Sequence, residues 1–407
     1  MARLPTETRS ARNRQNVVRL LRERGALSRA EIARAVGLSR STVSALVAEL
    51  VSQGVVLELG TSLPPSGGGA GRPGAAVMLD PATGEAIGLD FGRRHVHVII
   101  ADVAHEVKIA KSVELPEGYR TAAGLSAAAD LVHAAMAEAG TDPTRILGVG
   151  VSLPGPVPRR PGAQPPRAGP PVADELSARL GLPVLVDGDA NLGALAERRW
   201  GAGRGYDELV YLKLHTRVGG ALFSNGALIR GAGGLAGRVG HLPLDPAGPL
   251  CRCGARGCLE SLVGISALMR SLEPAYGDRI TLRDVITMGW QGDPGCVKVL
   301  TEAGQRVGRA VDLLRRLLDP EVVIVGGALA GAGELLLTPL REAAGFSTGA
   351  GPGAGTGASS GPNSPVIAGA LGPQASALGA VALVLGESDQ ARPVPAGGAA
   401  AEAEFGA

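Results

Sequence analysis

Three helical stripes open the chain. In NRQNVVRLLRERG, Val17, Val18, Leu20 and Leu21 fall on one side of a helix that Gly25 can end. A shorter helix is predicted next: Ser28 and Glu31 stand in S-x-x-E capping-box register, Ile32, Ala33 and Val36 face inward, and Gly37 stops it. Ser39 then caps a third helix, where Val43, Leu46, Val47, Leu50 and Val51 recur at i, i+3, i+4, i+7 and i+8. Gly54 ends that helix, and VVLELG reads as a strand leading to a wing.

From Glu85 the texture changes. AIGLDFG, HVHVIIADV and VKIAKSVEL read as consecutive strands, followed by an Ala-rich helix over about 120–139 and the strand RILGVGVSL. LPVLVD, ELVYLKL, GGALFSNGALIRG and EVVIVGG read as further strands; DANLGALAERRW, VGRAVDLLRRLLDP and ASALGAVALVLG read as helices. Strands that pass into alternating helix and strand predict an α/β architecture with two sheet-centred lobes. The expected division is a winged helix-turn-helix head (1–70), a Gly/Pro linker (71–84, within PPSGGGAGRPGAA), a two-lobed body (85–389) and a disordered tail (390–407). The Pro-rich stretch 156–171 and the Gly-rich stretch 345–361 are expected to be surface loops.

Two short helices joined by a tight GLS turn make a helix-turn-helix, whose second helix presents its first residues to base edges in the major groove. Here those are Ser39, Arg40, Ser41, Thr42 and Ser44. A plain three-helix packing module would share the same apolar spacing, and charge is what separates the two readings. The first 60 residues hold ten Arg and five Glu, +5, which leaves −3 for the rest of a chain whose net charge is +2. A basic head on a mildly acidic body suits a polyanion such as duplex DNA, although a solvated basic helix has the same composition. Arg72, between Gly71 and Pro73, is slim and extended enough to enter a narrow minor groove, or is simply a linker arginine. The chain opens MARLPTETRS with no apolar stretch behind its charges, and no run of about 20 apolar residues occurs, so a soluble cytoplasmic protein is expected.

Only four cysteines occur, and three fall within CRCGARGC, which follows His241 after nine intervening residues. Cys251 and Cys253 cannot easily bridge across one residue, and cytosolic thiols stay reduced. With Cys258 and His241 they make a complete Cys₃His shell for zinc. Four protein ligands leave no open position for a catalytic water, so the site is expected to be structural; a loop of unligated thiols is the alternative.

The pattern H-x9-C-x-C-G-x2-G-C-x-E, from His241 to Glu260, resembles the signature of the ROK family (repressors, open reading frames and sugar kinases). The similarity extends from about Glu85 to about Gly386 and includes VSLPGPV, LPVLVDGDANLGALAE, RGAGGLAGRVGHLPLD and DPEVVIVGGALA. With its winged head, the whole chain resembles the family's transcriptional regulators. The resemblance implies a ribonuclease-H-like, actin-like ATPase fold that clamps ATP and a hexose between its lobes. In the family's kinases the first phosphate loop is D-x-G-x-T-K. Here it is DFGRRH, with Arg94 and His95 in the Thr and Lys places. The second, G-T-G-x-G, is HTRVG, with His215 and Arg217 replacing glycines that let backbone N–H groups approach phosphate. VGGALA (325–330), which matches the adenosine loop, survives. The resemblance thus implies a catalytically degenerate domain.

On the sugar side, Asp189 matches the family's catalytic base, here vestigial, and His241 and Glu260 match sugar contacts. Gly188 stands where the family has Asn, and Arg238 replaces the Glu of Glu-x-Gly-His. Asp189, Arg238, His241 and Glu260 are the expected ligand-binding residues. Either Arg238 welcomes an anionic sugar derivative, or it pairs with Asp189 and blocks the pocket. The expectation is a repressor of carbohydrate-related genes that binds a double-stranded DNA operator, senses a sugar or sugar derivative and works as a homodimer or homotetramer. A sugar kinase with an accessory head is the alternative.

Overall fold

The computed structural model describes residues 13–14, 16–18, 20–21, 25–52, 54–62, 75–80, 84–103, 106–116, 118–158, 172–345 and 364–386. Arg72, most of the two loops and the tail 390–407 lie outside the described residues.

In the head, the capping box forms as its spacing predicts. The Glu31 amide donates to Ser28 Oγ (3.3 Å) and the Ser28 amide donates to Glu31 Oε2 (2.8 Å), so helix α1 (Arg29–Val36) starts with its first donors satisfied. Helix α2 (Arg40–Ser52) turns Val43, Leu46, Val47 and Leu50 into a core shared with Val17, Leu21 and Ile32. Strands β1 (Leu27–Ser28), β2 (Val56–Ser62) and β3 (Ala75–Leu79) form an antiparallel sheet in the order β1-β3-β2. Strand β3 corrects the expected boundary, because it lies inside the stretch 71–84 read as linker. The glycines and prolines before it disguise a short apolar run whose Ala76, Val77 and Leu79 are buried against the helices. The wing therefore closes at Leu79, and the head extends beyond residue 70.

The body repeats one sheet plan twice. In the first lobe, β4 (Glu85–Phe91), β5 (His95–Asp102) and β6 (Val107–Glu114) form an antiparallel meander, and β7 (Ile146–Leu153) and β8 (Val184–Gly188) add in parallel, giving the order β6-β5-β4-β7-β8. In the second lobe, β9 (Leu209–Leu214), β10 (Val218–Ser224) and β11 (Ala227–Ile229) are the meander, and β12 (Val322–Gly326) and β13 (Val366–Ala368) are the parallel additions, in the order β11-β10-β9-β12-β13. Helix α3 (Thr121–Ala139) and α4 (Val172–Leu180) cover the first lobe, while α5 (Asp189–Trp200) begins where β8 ends. The second lobe carries α6 (Leu259–Val263), α7 (Ile265–Tyr276), α8 (Leu282–Trp290), the long α9 (Pro294–Leu318) and α10 (Glu334–Ala343). Of these, α4, α6, α7, α8, α10 and the first half of α9 are elements that the sequence reading leaves unassigned. Among the described residues no helix is long and apolar enough to cross a membrane.

Helix α11 (Ala375–Val384) leaves the second lobe and packs back on the first, where nearly every residue is buried. It sits directly on backbone. A Cβ added at Gly150 would lie 2.0 Å from the Ala380 carbonyl oxygen, and one at Gly88 would lie 2.1 Å from that of Ala377. Gly150→Ala is therefore expected to push α11 off its seat at a cost of about 1–3 kcal/mol, the usual range for overpacking, read as a lower urea midpoint with an unchanged slope. A midpoint equal to that of the parent would contradict this packing.

Candidate functional site

Three sites come out of this frame. On the head, the α2 N-terminus presents Ser39, Arg40, Ser41, Thr42 and Ser44, all exposed. Ser39 Oγ accepts from the Thr42 amide (3.1 Å) and lies 2.7 Å from Thr42 Oγ1 and 2.9 Å from Ser41 Oγ, so these three hydroxyls serve the cap. Arg40 and Ser44 stand clear of that network. Two other head arginines are engaged with carboxylates, Arg14 with Glu49 (3.1 Å) and Arg29 with Glu58 (2.5 Å).

On the second lobe, the His241 ring and the Cys251, Cys253 and Cys258 sulfurs converge, their donor atoms all within 4.8 Å of one another. Cys253 Sγ and Cys258 Sγ are 3.6 Å apart, as are Cys251 Sγ and His241 Nδ1. Zinc–sulfur bonds of about 2.3 Å set the edge of a tetrahedron at roughly 3.8 Å, so the donors already have the spacing of a metal shell. A disulfide would need about 2.05 Å, and all four cysteines are free. Burial beside two further thiols pushes the Cys258 thiol up to about 12, so a cation is needed to hold three thiolates together. Burial also lowers the His241 pKa, with Glu260 opposing and Arg238, Arg252 and Arg217 reinforcing, which keeps the imidazole neutral as a ligand must be. The cluster can hold a metal ion through His241 Nδ1, and that leaves Nε2 on the opposite edge of the ring.

Between the lobes lies the third site. Asp189, the first residue of α5, accepts on Oδ1 from the amides of Gly155 (3.1 Å) and Ala190 (3.0 Å). Its Oδ2 is paired with Lys213 Nζ at 2.9 Å, and Lys213 also donates to Ser376 Oγ at 3.0 Å. Burial works to lower the Lys213 pKa, but Asp189 and Asp90 outweigh it and hold the ammonium above the ordinary lysine value. The sequence reading named Arg238 as the residue that could pair with Asp189. The pair is made by Lys213 instead, while Arg238 is exposed at the start of the short turn Val239–His241. Lys213 was missed, and the available signal was a lone cation in the apolar strand LVYLKL, β9. Glu260 is engaged as well. Its Oε2 accepts from the Val218 amide (3.1 Å) and its Oε1 pairs with Arg252 Nε (3.0 Å), the residue between Cys251 and Cys253. At Gly188, where the family pattern has Asn, the loop before Pro156 fills the side-chain space: an added Cβ would lie 2.5 Å from the Gly155 carbonyl oxygen. Behind Asp189, Asp187 holds Arg230 (2.8 Å) and Asn191 (2.8 Å), and Arg230 Nη2 is buried with no acceptor among the described residues.

The two turns that the resemblance aligns with the family's phosphate loops carry side chains. The His95 ring lies on Gly92, so that a Cβ there would come within 2.2 Å of it. His95 Nε2 is 3.8 Å from Asp90 Oδ2, and Ser152 Oγ donates to Asp90 Oδ1 at 2.5 Å. Burial acts to raise the Asp90 pKa, yet the His95 contact, the Lys213 charge and the Ser152 hydroxyl together hold it below the usual carboxylate range. In the second loop the His215 amide donates to the Arg217 carbonyl (3.1 Å), a tight turn that carries side chains where glycines would leave backbone bare. The surviving glycines of VGGALA have a structural reason: Gly327 has φ +84, and a Cβ there would meet the Leu214 carbonyl oxygen at 2.3 Å.

The family model described as the ROK family matches residues 86–387, and a model described as winged helix-turn-helix DNA-binding matches residues 11–56. A xylose repressor of Caldicellulosiruptor bescii is 29% identical over 348 residues, which cover 81% of this chain and 86% of that protein. A glucokinase of Thermotoga maritima is 35% identical over 186 residues, covering 42% of this chain and 59% of the enzyme. Among solved structures, a ROK family transcriptional regulator described as a homologue of the E. coli MLC protein superposes with a TM-score of 0.72 over 92% of this chain and 96% of its own, at 21% identity, which speaks for the fold alone.

Proposed function

Since the chain belongs to the ROK family, we propose that it is a DNA-binding repressor of carbohydrate-related genes whose body senses a sugar or sugar derivative and transfers no phosphate. The observation that carries the second half is the Lys213–Asp189 ion pair. A general base must be free to take a proton from a sugar hydroxyl, and a carboxylate 2.9 Å from a buried ammonium is a poor acceptor for it. The side chains of His95, His215 and Arg217 in the phosphate loops argue the same way, because phosphate oxygens need bare backbone N–H groups. The winged helix-turn-helix match over residues 11–56 and the likeness to a xylose repressor over 81% of the chain argue for the first half.

The Cys₃His cluster suits zinc in a structural role, given tetrahedral spacing and a complete protein shell. Two or four copies acting in the cytoplasm, where thiols stay reduced, would place paired heads on half-sites about 34 Å apart or multiples of it. Effector-driven closure of the lobes then changes that spacing and the affinity for DNA.

Gel-shift titration of the full chain against its own upstream promoter tests this reading. Retention that weakens steeply with salt is expected, and Arg40→Ala should cost about 1–3 kcal/mol if Arg40 reads a base edge, or lower the salt slope by about 1 if it meets phosphate. No retention of that fragment at low salt would sink the repressor. ADP release with a hexose panel is expected to stay at background; turnover that Asp189→Ala abolishes would instead establish the alternative, a sugar kinase with an accessory head.

A further inference from the structure

Helix α9 buries one side in the second lobe and leaves the other bare. Leu300, Ala303, Val307, Ala310, Val311 and Leu314 face the core. At 3.6 residues per turn, Glu302, Arg306, Arg309, Leu313 and Leu317 fall within about 80° of arc on the outer side. A lone surface leucine needs no explanation. Here two stand one turn apart on the same face, Leu313 45% exposed and Leu317 78% exposed.

Before those leucines the face borders a cavity of about 350 Å³, lined by Leu244 and Asp245 of the Cys₃His loop, Leu262 of α6, and Arg306 and Arg309. Arg306 is engaged: Nη1 donates to the Leu262 carbonyl (3.3 Å) and Nη2 pairs with Glu302 (3.4 Å). Asp245 accepts only from the Ala247 amide (3.0 Å), and Arg309 has no hydrogen bond or ion pair among the described residues. The two thus line one cavity as opposite charges that do not meet. Asp245 is held on its side by the close approach of Gly257, where an added Cβ would lie 1.7 Å from the Asp245 carbonyl oxygen.

A face that bears an unpaired acid, an unpaired base and an apolar ridge complements its own image. A two-fold axis sets residue i of one copy against residue j of the other and j against i, so a single rotation can make two Asp245–Arg309 contacts and bring the leucines of both copies together. A small anion or an acidic peptide would answer Arg309 alone, leaving Asp245 opposed and the leucines in water.

We infer that the outer face of α9 is where two copies of this chain meet, Arg309 of each pairing with the partner's Asp245 across Leu313 and Leu317. The inference deepens the reading of the chain as two or four copies and rests on it. It also supplies a lever. Helix α9 belongs to the second lobe, whereas the head's core shares a buried cluster with Ala86, Ile99, Ala101 and Val103 of the first. With the copies joined through their second lobes, closure of the cleft moves the first lobes, and the heads with them, relative to the two-fold axis.

The test is sedimentation velocity of the full chain over a dilution series, with metal content and Tm as controls for folding. The parent is expected to associate reversibly. Arg309→Asp and Asp245→Arg each set like charges together twice per pair and should each weaken association at least about ten-fold; the double variant should restore it to within about three-fold of the parent. Leu317→Glu should also weaken it about ten-fold or more, while Val107→Glu, on the edge strand of the first lobe, leaves it within about two-fold. A parent tetramer that the single variants reduce to dimers supports the proposal equally. A parent that stays monomeric overturns it, whether or not it then binds inorganic phosphate or an acidic peptide, and takes the multimer reading with it. Association that the single variants leave unchanged, or that the double variant fails to restore, removes this face and leaves the multimer reading standing. Promoter retention by the parent reports separately on the repressor.

Discussion

Cys258→Ser is expected to release the metal and melt the loop from His241 to Cys258, lowering Tm by on the order of 10 °C. The reason is local. Leu242 and Leu244 anchor the start of the loop on the core, but beyond them it is held by backbone contacts, including the bridges Pro243 to Cys258 and Leu250 to Arg256 and the tight turn in which the Cys251 amide donates to Ala255 (2.7 Å), and Leu250 is exposed. Structural zinc in small domains supplies about 10–16 kcal/mol of apparent binding energy at neutral pH, so even a fraction of it exceeds what that turn can hold alone. A strong chelator should lower the parent Tm by a similar amount and leave the variant unmoved. Elemental analysis finding well under one metal per parent chain, or a chelator without effect on Tm, would show that the four donors converge for another reason.

Glu197→Ala is the second large effect. Glu197 is buried on α5 and its carboxylate gathers three amides: Ala202 (2.9 Å) and Ala370 (3.0 Å) on Oε2, and Leu371 (3.0 Å) on Oε1. Truncation leaves those donors without an acceptor in a closed site, at about 1–3 kcal/mol each, so a loss of several kcal/mol is expected in chemical denaturation. Glu197→Gln keeps the shape and one acceptor and should recover part of the loss. Equal stability of Glu197→Ala and the parent would mean that water replaces the carboxylate. The effect is expected to reach the cleft too, because residues 370 and 371 lead into α11 and Ser376, the second partner of Lys213.

What could be read from the sequence was mostly what is written at short range. The Ser28–Glu31 box and the Val43–Leu50 stripe each complete themselves within a few residues, and the structure forms both as spaced. The convergence of His241 with the three cysteines was equally legible, because His241 to Cys258 spans one loop. The cleft was not. Asp189 was recognised by its motif, but its cation comes from a strand 24 residues on and is steadied by Ser376, 163 residues beyond that. Arg238 was the nearer guess because it interrupts a motif, whereas Lys213 interrupts only the apolar rhythm of a strand. Strand β3 was hidden for a related reason: AAVML is too short to announce itself after a glycine-rich run, and only pairing with β1 and β2 makes it a strand. Helices α7 and α8 lie among polar and charged residues whose apolar faces acquire meaning only against α9.

Helix α11 is ten residues long, about 15 Å from end to end. Its first turn carries the hydroxyl that touches the Lys213 ammonium, while Leu378, Val381 and the following Leu385 belong to the same contiguous buried cluster as Val17, Val43 and Leu79 of the head. Seated on bare glycine backbone, it has no side-chain cushion in which to absorb a displacement. The crevice and the head's core are thus joined through one stiff element, which meets Lys213 at Ser376 and enters the shared buried cluster from Ala377 onward.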